Sequence, residues 1–410
     1  MADLLKPESH GKPGAGGAAT AAAAGATRRA TLGLLFGAPL LSACAGMQGS
    51  PNGAGATSPP AGPAQAPQAM GTGGTKVGLI LPLSGSGNAG VAAQSMKNAA
   101  EMALAEFQNP SIQLLIKDDN ATAQGAQQAT QQALDEGAEI ILGPLFALSV
   151  PAAAQLARAR NVPVIAFSTD ATVAGRGVYL LSFLPESDVN RTIDYAASLG
   201  KRSFAAMLPD NAYGNVVEVA FKQAVARKGG RVIAFEKYGA DRGNAARNIA
   251  AQLTAADALF IADDGDAVVA TADALTAAGA NLRNVQLLGT GLWDNPRVFN
   301  SAVLQGGLYA APDPAGFRAF AARYRTKYGT EPVRTATLAY DAVALVAALA
   351  RNQGGAKFSP DILTNTSGFA GIDGLFRFRA DGTNERGLAV MKVAPGGGQP
   401  VAGSPKSFGA

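Results

Sequence analysis

Cysteine, histidine and tryptophan are almost absent from this sequence, whose 410 residues contain one of each. They are Cys44, His10 and Trp293. A single cysteine excludes a disulfide within the chain. Catalytic sites of the Ser-His-Asp or Cys-His kind, and zinc sites, need histidine or cysteine at their centre. If the chain is cleaved before Cys44, His10 is removed and these classes of site are excluded from the remaining sequence.

Charged residues are also scarce, at 16% of the chain, and the formal net charge is only +4. No basic run suggests a nucleic-acid partner. Hydrophobic residues make up 48% of the chain, which at this length is enough to bury one or two cores. The composition therefore predicts two lobes.

The first 43 residues have the features of an export signal. Arg28 and Arg29 precede an apolar run over residues 32–41, which is too short to span a membrane, and Ser42 and Ala43 follow it. Residues 41–44 resemble the lipobox of bacterial lipoproteins, which implies lipidation of Cys44 and a membrane anchor. Ala45 follows in place of the Asp that retains many lipoproteins in the inner membrane, and so favours the outer one.

Residues 44–75 consist mainly of Gly, Ala, Pro, Ser and Gln and carry no charge. Such a segment has almost nothing to bury, so we expect a disordered tether.

A β-α-β unit over residues 139–170 is the centre of the folded sequence. Two short apolar runs flank an Ala-rich helix, as is typical of buried parallel strands. Ligands of open α/β sheets bind outside the carboxyl ends of the strands. The residues at these strand ends are therefore the first site candidates: Leu145, Phe146, Ser168, Thr169 and Asp170. The alternative is that residues 168–170 only cap the following segment.

Alternating strand and helix patterns continue on both sides of this unit. One series covers residues 76–183, and a second, similar series restarts after it. This alternation predicts an α/β fold of two doubly wound parallel-sheet lobes. Asp341 interrupts the longest apolar run after residue 75, so no membrane span is expected there.

Gly85, Gly87 and Gly90 form a G-x-G-x-x-G pattern between a strand and a helix. This pattern is typical of dinucleotide sites, where the first glycine stands at the end of the strand. Here residues 82–84 intervene, and the loop does not end in Lys-Ser or Lys-Thr as a P-loop does. An exported dinucleotide-dependent enzyme is therefore only a remote alternative.

Four motifs together resemble the type I periplasmic binding proteins of the branched-chain amino acid family. They lie at residues 77–85, 142–144, 162–165 and 209–214. The resemblance implies two lobes that close on a ligand by hinge motion. Its three crossovers fall near Phe183, Gly307 and Phe369.

This resemblance divides the chain into one lobe of residues 76–183 plus about 308–368 and another of 184–307 plus about 369–395. Residues 396–410 are expected to form a flexible tail. It implies a periplasmic, non-enzymatic protein without cofactor or metal. The expected ligand is a small polar molecule, such as an amino acid, amide or peptide, and the expected partner is an ABC-type permease.

Several residues are candidate ligand contacts because they occupy positions of the family's motifs or neighbouring strand ends. They are Ser84, Phe183, Asp210, Tyr213, Asp263, Asp264 and Trp293. Leu145 and Phe146 stand where the family supplies a serine hydroxyl, and Gly291 stands where it supplies an acid. Asp263 and Asp264 are candidate substitutes for that acid, although a helix N-cap is the simpler explanation. We expect Trp293 to line the cleft.

Another branch of the same fold contains outer-membrane lipoproteins that activate penicillin-binding proteins, the peptidoglycan synthases. Ala45, the long tether and the altered amino-acid site favour this branch. A peptidoglycan synthase is therefore the alternative partner to a permease.

Overall fold

A computed structural model describes residues 68–107, 111–352 and 356–408. Its strands are, in chain order, β1 (Gln68–Met70), β2 (Thr75–Leu81), β3 (Ile112–Asp118), β4 (Ile140–Leu142), β5 (Val164–Ala166), β6 (Val178–Leu180), β7 (Ser203–Pro209), β8 (Arg231–Tyr238), β9 (Ala258–Ile261), β10 (Gln286–Gly289), β11 (Leu308–Ala311), β12 (Phe369–Gly371), β13 (Gly374–Phe378), β14 (Asn384–Arg386), β15 (Ala389–Ala394) and β16 (Gly397–Ala402).

The helices are α1 (Gly87–Glu106), α2 (Ala123–Asp135), α3 (Val150–Ala159), α4 (Pro185–Ser198), α5 (Ala212–Arg227), α6 (Arg242–Ala250), α7 (Gly265–Ala277), α8 (Pro296–Asn300), α9 (Pro314–Tyr328), α10 (Ala336–Asn352) and α11 (Pro360–Leu363). Short 3-10 turns cover Ala171–Val173, Ala251–Ala255 and Gly291–Trp293. None of the helices in these described ranges has both the length and the apolar character needed to cross a membrane.

The first lobe contains a six-stranded sheet in the order β1-β3-β2-β4-β5-β6. Strands β2 to β6 are parallel, and β1 is antiparallel to β3. Helices cover both faces, because α1 and α10 pack on one side and α2 and α3 on the other. Almost every residue of β2 is buried, as expected for a central parallel strand.

The second lobe contains a seven-stranded sheet in the order β16-β15-β11-β10-β9-β7-β8. Strands β7 to β11 are parallel, whereas β15 and β16 extend the sheet on one side as antiparallel strands. Apolar cores fill both faces of this sheet as well. The predicted α/β class with two doubly wound lobes is confirmed.

The chain passes between the lobes three times. The first passage follows β6 and includes Phe183, as expected. The second follows β11, which belongs to the second sheet, and therefore comes later than Gly307. The third follows β14 rather than falling near Phe369, because β12, β13 and β14 form a separate antiparallel sheet packed on the first lobe.

Two end segments are more ordered than expected from their composition. Strand β16, in the segment predicted to be a flexible tail, pairs with β15. Strand β1, in the predicted tether, pairs with β3. Backbone hydrogen bonds to a neighbouring strand order these segments although their side chains bury little. Residues 1–67, which include the export signal, Cys44 and most of the tether, lie outside the described residues.

Candidate ligand-binding site

A small pocket opens at the carboxyl ends of β4, β5 and β6, on the side of the first lobe where the chain passes to the second. Its walls come from the segments that follow these strands and from the beginnings of α1 and α10. They are Leu145, Phe146, Phe167, Thr169, Ser182, Phe183, Ala89, Ala92, Thr335 and Leu338. The lining is mostly apolar, with three hydroxyl groups and no charged side chain.

Four of the predicted contacts meet in this pocket, namely Leu145, Phe146, Thr169 and Phe183. Leu145 is buried, whereas the other three are half-buried. Their meeting follows from parallel pairing of β4, β5 and β6, which brings three strand ends to one edge. Their role as ligand contacts stays a prediction.

The other three candidates of the first lobe have local partners. Ser168 is buried, and its hydroxyl accepts a hydrogen bond from the Asp170 N–H at 3.1 Å. The Asp170 carboxylate in turn accepts from the N–H and hydroxyl of Thr172. Asp170 lies on a second, more polar groove beside Glu186. Ser84 is exposed, and its hydroxyl donates to Asn120. Capping therefore accounts for Ser168 and Asp170 without a ligand.

In the second lobe, the candidates lie at strand ends but are bonded to one another or to their own helices. The Tyr213 and Thr290 hydroxyls share a 3.0 Å hydrogen bond. Asp263 accepts from the Tyr238 hydroxyl at 2.7 Å. Asp264 caps α7 by accepting from the N–H of Ala267, which confirms the simpler explanation given for it.

Asp210, the remaining acidic candidate of the second lobe, is exposed, and its backbone N–H donates a hydrogen bond to the Tyr238 carbonyl.

Burial raises the pKa of the Tyr213 phenol, although its hydrogen bond to Thr290 opposes this shift. The phenol of Tyr213 is therefore neutral at any physiological pH.

The expectation that Trp293 lines the cleft is wrong. The indole is fully buried in the core of the second lobe, and its Nε1–H donates to the Ile261 carbonyl at 3.0 Å. Gly289 makes room for it, since a Cβ atom at that position would lie 2.2 Å from the ring. The glycine-rich strand end thus serves packing of the ring rather than ligand access.

Asp188, near the start of α4, occupies the place where the family resemblance expects an acid. Its Oδ2 accepts a hydrogen bond from the Gly291 N–H at 2.9 Å. A side chain at Gly291 would point at this oxygen, 3.1 Å from its Cβ. Burial raises the pKa of Asp188 to about 7, while the Gly291 N–H and Arg386 oppose that shift. Inspection of strand ends missed Asp188 because it lies on a helix.

Thr335 and its neighbour Arg334 were also missed. Both precede α10, which follows the second passage between the lobes, far along the chain from the other pocket residues. In the sequence, Arg334 and Thr335 stand out only as polar residues before a long apolar helix. Polar residues at that position are typical of any helix N-cap, so they do not indicate a ligand site.

A buried group of charges lies behind the pocket, where the first and third passages meet. The Arg386 Nε–H donates to the Ser182 carbonyl at 2.8 Å, and its guanidinium lies 4.5 Å from the centre of the Phe183 ring. Asp341 and Asp373 face it, and burial lowers the pKa of Arg386 although both carboxylates oppose that shift. These contacts place a cation directly behind the pocket wall.

The described residues contain no group of three or more His, Cys, Asp or Glu side chains suited to a metal ion. The glycine pattern does not match a dinucleotide site either. Strand β2 ends at Leu81, before Gly85, and a Cβ at Gly90 would collide with the Gly85 carbonyl at 2.1 Å. Gly85 and Gly90 therefore serve close packing of the loop on α1, whereas Gly87 adopts a positive φ of +56°.

Two doubly wound lobes, joined by three passages and with a pocket at the strand ends, define a bilobed binding-protein architecture. The chain belongs to the periplasmic binding protein family, whose model matches residues 74–399. This confirms the resemblance drawn from the motifs. Membership implies an extracytoplasmic location. No match was found among curated protein sequences.

Solved structures with the same fold share about a fifth of their residues with this chain. A branched-chain amino acid ABC transporter periplasmic ligand-binding protein of Burkholderia xenovorans is 20% identical, with a TM-score of 0.63 over 82% of this chain and 97% of that one. A solute-binding protein of Rhodopseudomonas palustris in complex with 3,4-dihydroxybenzoic acid is 19% identical, with a TM-score of 0.56 over 81% and 98%. An ABC transporter substrate-binding protein of Desulfitobacterium hafniense in complex with Leu is 18% identical, with a TM-score of 0.60 over 80% and 99%.

Proposed function

We propose that this protein captures a small ligand between its two lobes and delivers it to an ABC-type transporter. The pocket of the first lobe, which at about 20 Å³ has room for only about one water molecule, would form one wall of that site. The observation that carries the proposal is the convergence of three strand ends and two helix starts on one concave, mostly apolar surface that faces the second lobe. Binding without a chemical step is the activity that we assign to it.

The apolar lining favours a ligand that combines an apolar body with a polar group, rather than one that is polar throughout. Phe146, Phe167 and Phe183 supply the apolar walls, while Thr169 supplies a hydroxyl at the edge. Leucine and dihydroxybenzoic acid, which relatives of the same fold bind, both have this character. Their common features support a small carboxylic acid with a hydrophobic body as the ligand class.

A thermal-shift screen tests this function with leucine, benzoate and 3,4-dihydroxybenzoate as probes. A probe at one hundred times its dissociation constant stabilises the folded protein by about 2.7 kcal/mol, which is easily measured. Phe146→Ala should abolish the shift because it removes a wall of the pocket. Phe235→Ala, which truncates a half-buried ring in the second lobe, is the matched control and should preserve the response.

We further propose that Cys44 is lipidated and anchors the protein to a membrane. The charged flank, short apolar run and small residues before Cys44 support this. Mass spectrometry of the membrane fraction should find acylated Cys44 as the first residue. An unmodified Cys44 within a longer chain contradicts the anchor and leaves the binding function untouched.

The alternative role, activation of a penicillin-binding protein, has support from Ala45 after the cysteine and from the lack of a serine in the segment 145–147. It predicts a different outcome of the same screen. Peptidoglycan fragments, added as a fourth class of probe, should then stabilise the protein while the three acids do not.

A further inference from the structure

We propose that the beginning of α10, through Arg334 and Thr335, holds the carboxylate of the ligand. This inference rests on the proposed function and adds which group of the ligand is recognised and by which residues. Neither the family motifs nor the strand ends indicated these two positions. They bring a hydroxyl donor and a cation to the side of the pocket formed by Phe183 and Leu338.

The Thr335 hydroxyl is the first element of this site. Thr335 lines the pocket, yet its Oγ1 is buried and has no hydrogen-bond partner among the described residues. Leaving a buried hydroxyl without a hydrogen-bond partner costs stability. A ligand oxygen bound in the pocket would supply the missing acceptor.

The Arg334 guanidinium is the second element, and its position is held by four neighbours, one of which is the Thr337 hydroxyl, the acceptor of a 3.2 Å hydrogen bond from Nη1. It lies between two aromatic rings, 4.8 Å from the centre of Phe183 and 4.6 Å from that of Phe317. Both of its Nη atoms donate to the buried carboxylate of Asp373. The side chain remains 29% exposed, so a ligand can reach it. Because its Nη atoms already bond Asp373, the guanidinium would attract a ligand carboxylate mainly through its charge rather than as a free bidentate fork.

The electrostatic surroundings of the pocket also favour an anion. Helices α1 and α10 begin at the pocket, and neither has an acidic residue in its first turn. The partial positive charges of their N-terminal ends are therefore not compensated locally. Arg386 adds a second guanidinium behind Phe183.

The negative groups near this end of α10 are already engaged. Asp373 pairs with Arg334, and Asp341 accepts the N–H of Ile372. Burial raises the pKa of Asp341 to about 7, so this carboxyl is partly protonated at neutral pH. Asp188 also faces Arg386, and Asp294 faces Arg334, so the net charge around the two arginines depends on how far Asp188 and Asp341 are protonated.

The loops after β4 and β5 are poorer candidates for the same task. Leu145 and Phe146 carry no hydroxyl, and Ser168 is buried and does not line the pocket, so Thr169 is the one hydroxyl that these loops bring to it. The carboxylate of Asp170 would repel an anion at that end of the pocket. The start of α10 therefore offers the better carboxylate site.

Matched pairs of probes test the inference by titration calorimetry on the full chain. Leucine is compared with leucinamide, and benzoate with benzamide, because each pair differs only in replacement of the carboxylate by a neutral amide. We expect the acids to bind at least tenfold more tightly than the amides. Thr335→Val, which keeps the shape of the side chain, should weaken the acids about tenfold and the amides by less, because a hydrogen bond to a charged acceptor is stronger than one to a neutral carbonyl.

Removal of Arg334 alone would leave Asp373 buried and unpaired, so the second variant replaces both, as Arg334→Met with Asp373→Asn. It should abolish the preference for acids while the circular dichroism spectrum stays native. Thr130→Val is the control, since Thr130 is buried on α2 and bonds to Ala126. Equal binding of acids and amides, or a Thr335→Val variant that binds both as the wild type does, overturns the inference but not the proposed function. Absence of binding by all four probes contradicts both.

Discussion

Asp341 is the residue whose charge state most directly links this fold to pH. It is 97% buried, its Oδ1 accepts the Ile372 N–H at 2.8 Å, and its Oδ2 has no partner among the described residues. Burial raises its pKa from 3.8 to about 7, whereas Ile372, Arg386 and Arg334 oppose that shift. The folded protein therefore binds a proton at this site more tightly than the unfolded chain.

This difference predicts how stability depends on pH. The contribution of Asp341 is fully present below about pH 4 and is lost as the pH rises through about 7. Asp341→Asn keeps the oxygen that accepts from Ile372 and cannot ionise. We expect the variant to be more stable than the wild type at pH 8, with the advantage shrinking as the pH falls and disappearing only towards pH 4.

Thermal unfolding between pH 5 and 8 measures this effect. Asp266→Asn is the control, because Asp266 is 69% exposed and should leave the pH dependence unchanged. Parallel curves for Asp341→Asn and the wild type would show that Asp341 is ionised throughout the range.

Residue-level prediction from the sequence succeeded where position along a strand determines location. Leu145, Phe146, Thr169 and Phe183 lie in one pocket because parallel strands end at one edge. It failed for Trp293 because a small residue before a ring can equally open a cleft or admit the ring into the core. Thr335 could not be predicted from the sequence, because its approach to β4 depends on the packing of α10 against α1.

At the level of elements, the turn after β4 positions the first part of the pocket. Gly143 adopts φ of +100°, and a Cβ atom there would lie 2.0 Å from the Ile80 carbonyl oxygen of the neighbouring strand. Only glycine permits both the backbone conformation and this close approach. The turn therefore directs Leu145 and Phe146 into the pocket.

Gly143→Ala should destabilise the protein by more than about 2 kcal/mol. The cost of a positive φ in alanine and the cost of the collision between its Cβ atom and the Ile80 carbonyl add together. Gly229→Ala is the matched control: Gly229 also has positive φ, +66°, but nothing lies within 4 Å of its Cβ position. It should cost only about 1 kcal/mol. Midpoints of urea unfolding compare the two. Equal losses would show that the approach to Ile80 relaxes easily.

The sequence predicted the alternating strands and helices well because each combines an apolar run with a turn signal. It missed β11, β14 and β16, which are short and contain small or polar residues. These strands owe their order to pairing with partners that lie elsewhere in the chain. For the same reason, the second and third passages between the lobes lie later in the chain than the predicted positions near Gly307 and Phe369.

At the scale of the whole molecule, Arg386 joins two of the three passages between the lobes. Its Nε–H and the Asn384 side chain both donate to the Ser182 carbonyl, each at 2.8 Å. Phe183, the next residue, lies against Arg386 on β14 and against Arg334 before α10. A rotation of one lobe on the other must carry this stack with it or break it.

Arg386→Lys keeps the charge but removes the planar group that both stacks and donates through Nε. We therefore expect the lobes to sample a wider range of orientations in the variant. Leu148 in the first lobe and Val219 in the second are each 57% exposed. Spin labels attached to cysteines introduced at these two positions report the distance between the lobes by double electron–electron resonance. Because Cys44 is the only cysteine, Cys44→Ser provides the background for labelling.

The distance distribution should broaden in Arg386→Lys and narrow when a binding probe is added to the wild type, since the ligand stabilises one arrangement of the lobes. Arg158→Lys serves as the control, because Arg158 is exposed in the last turn of α3. A distribution for Arg386→Lys as narrow as that of the wild type would mean that the backbone passages alone fix the lobes. In that case the stack stabilises the wall of the pocket without governing the hinge.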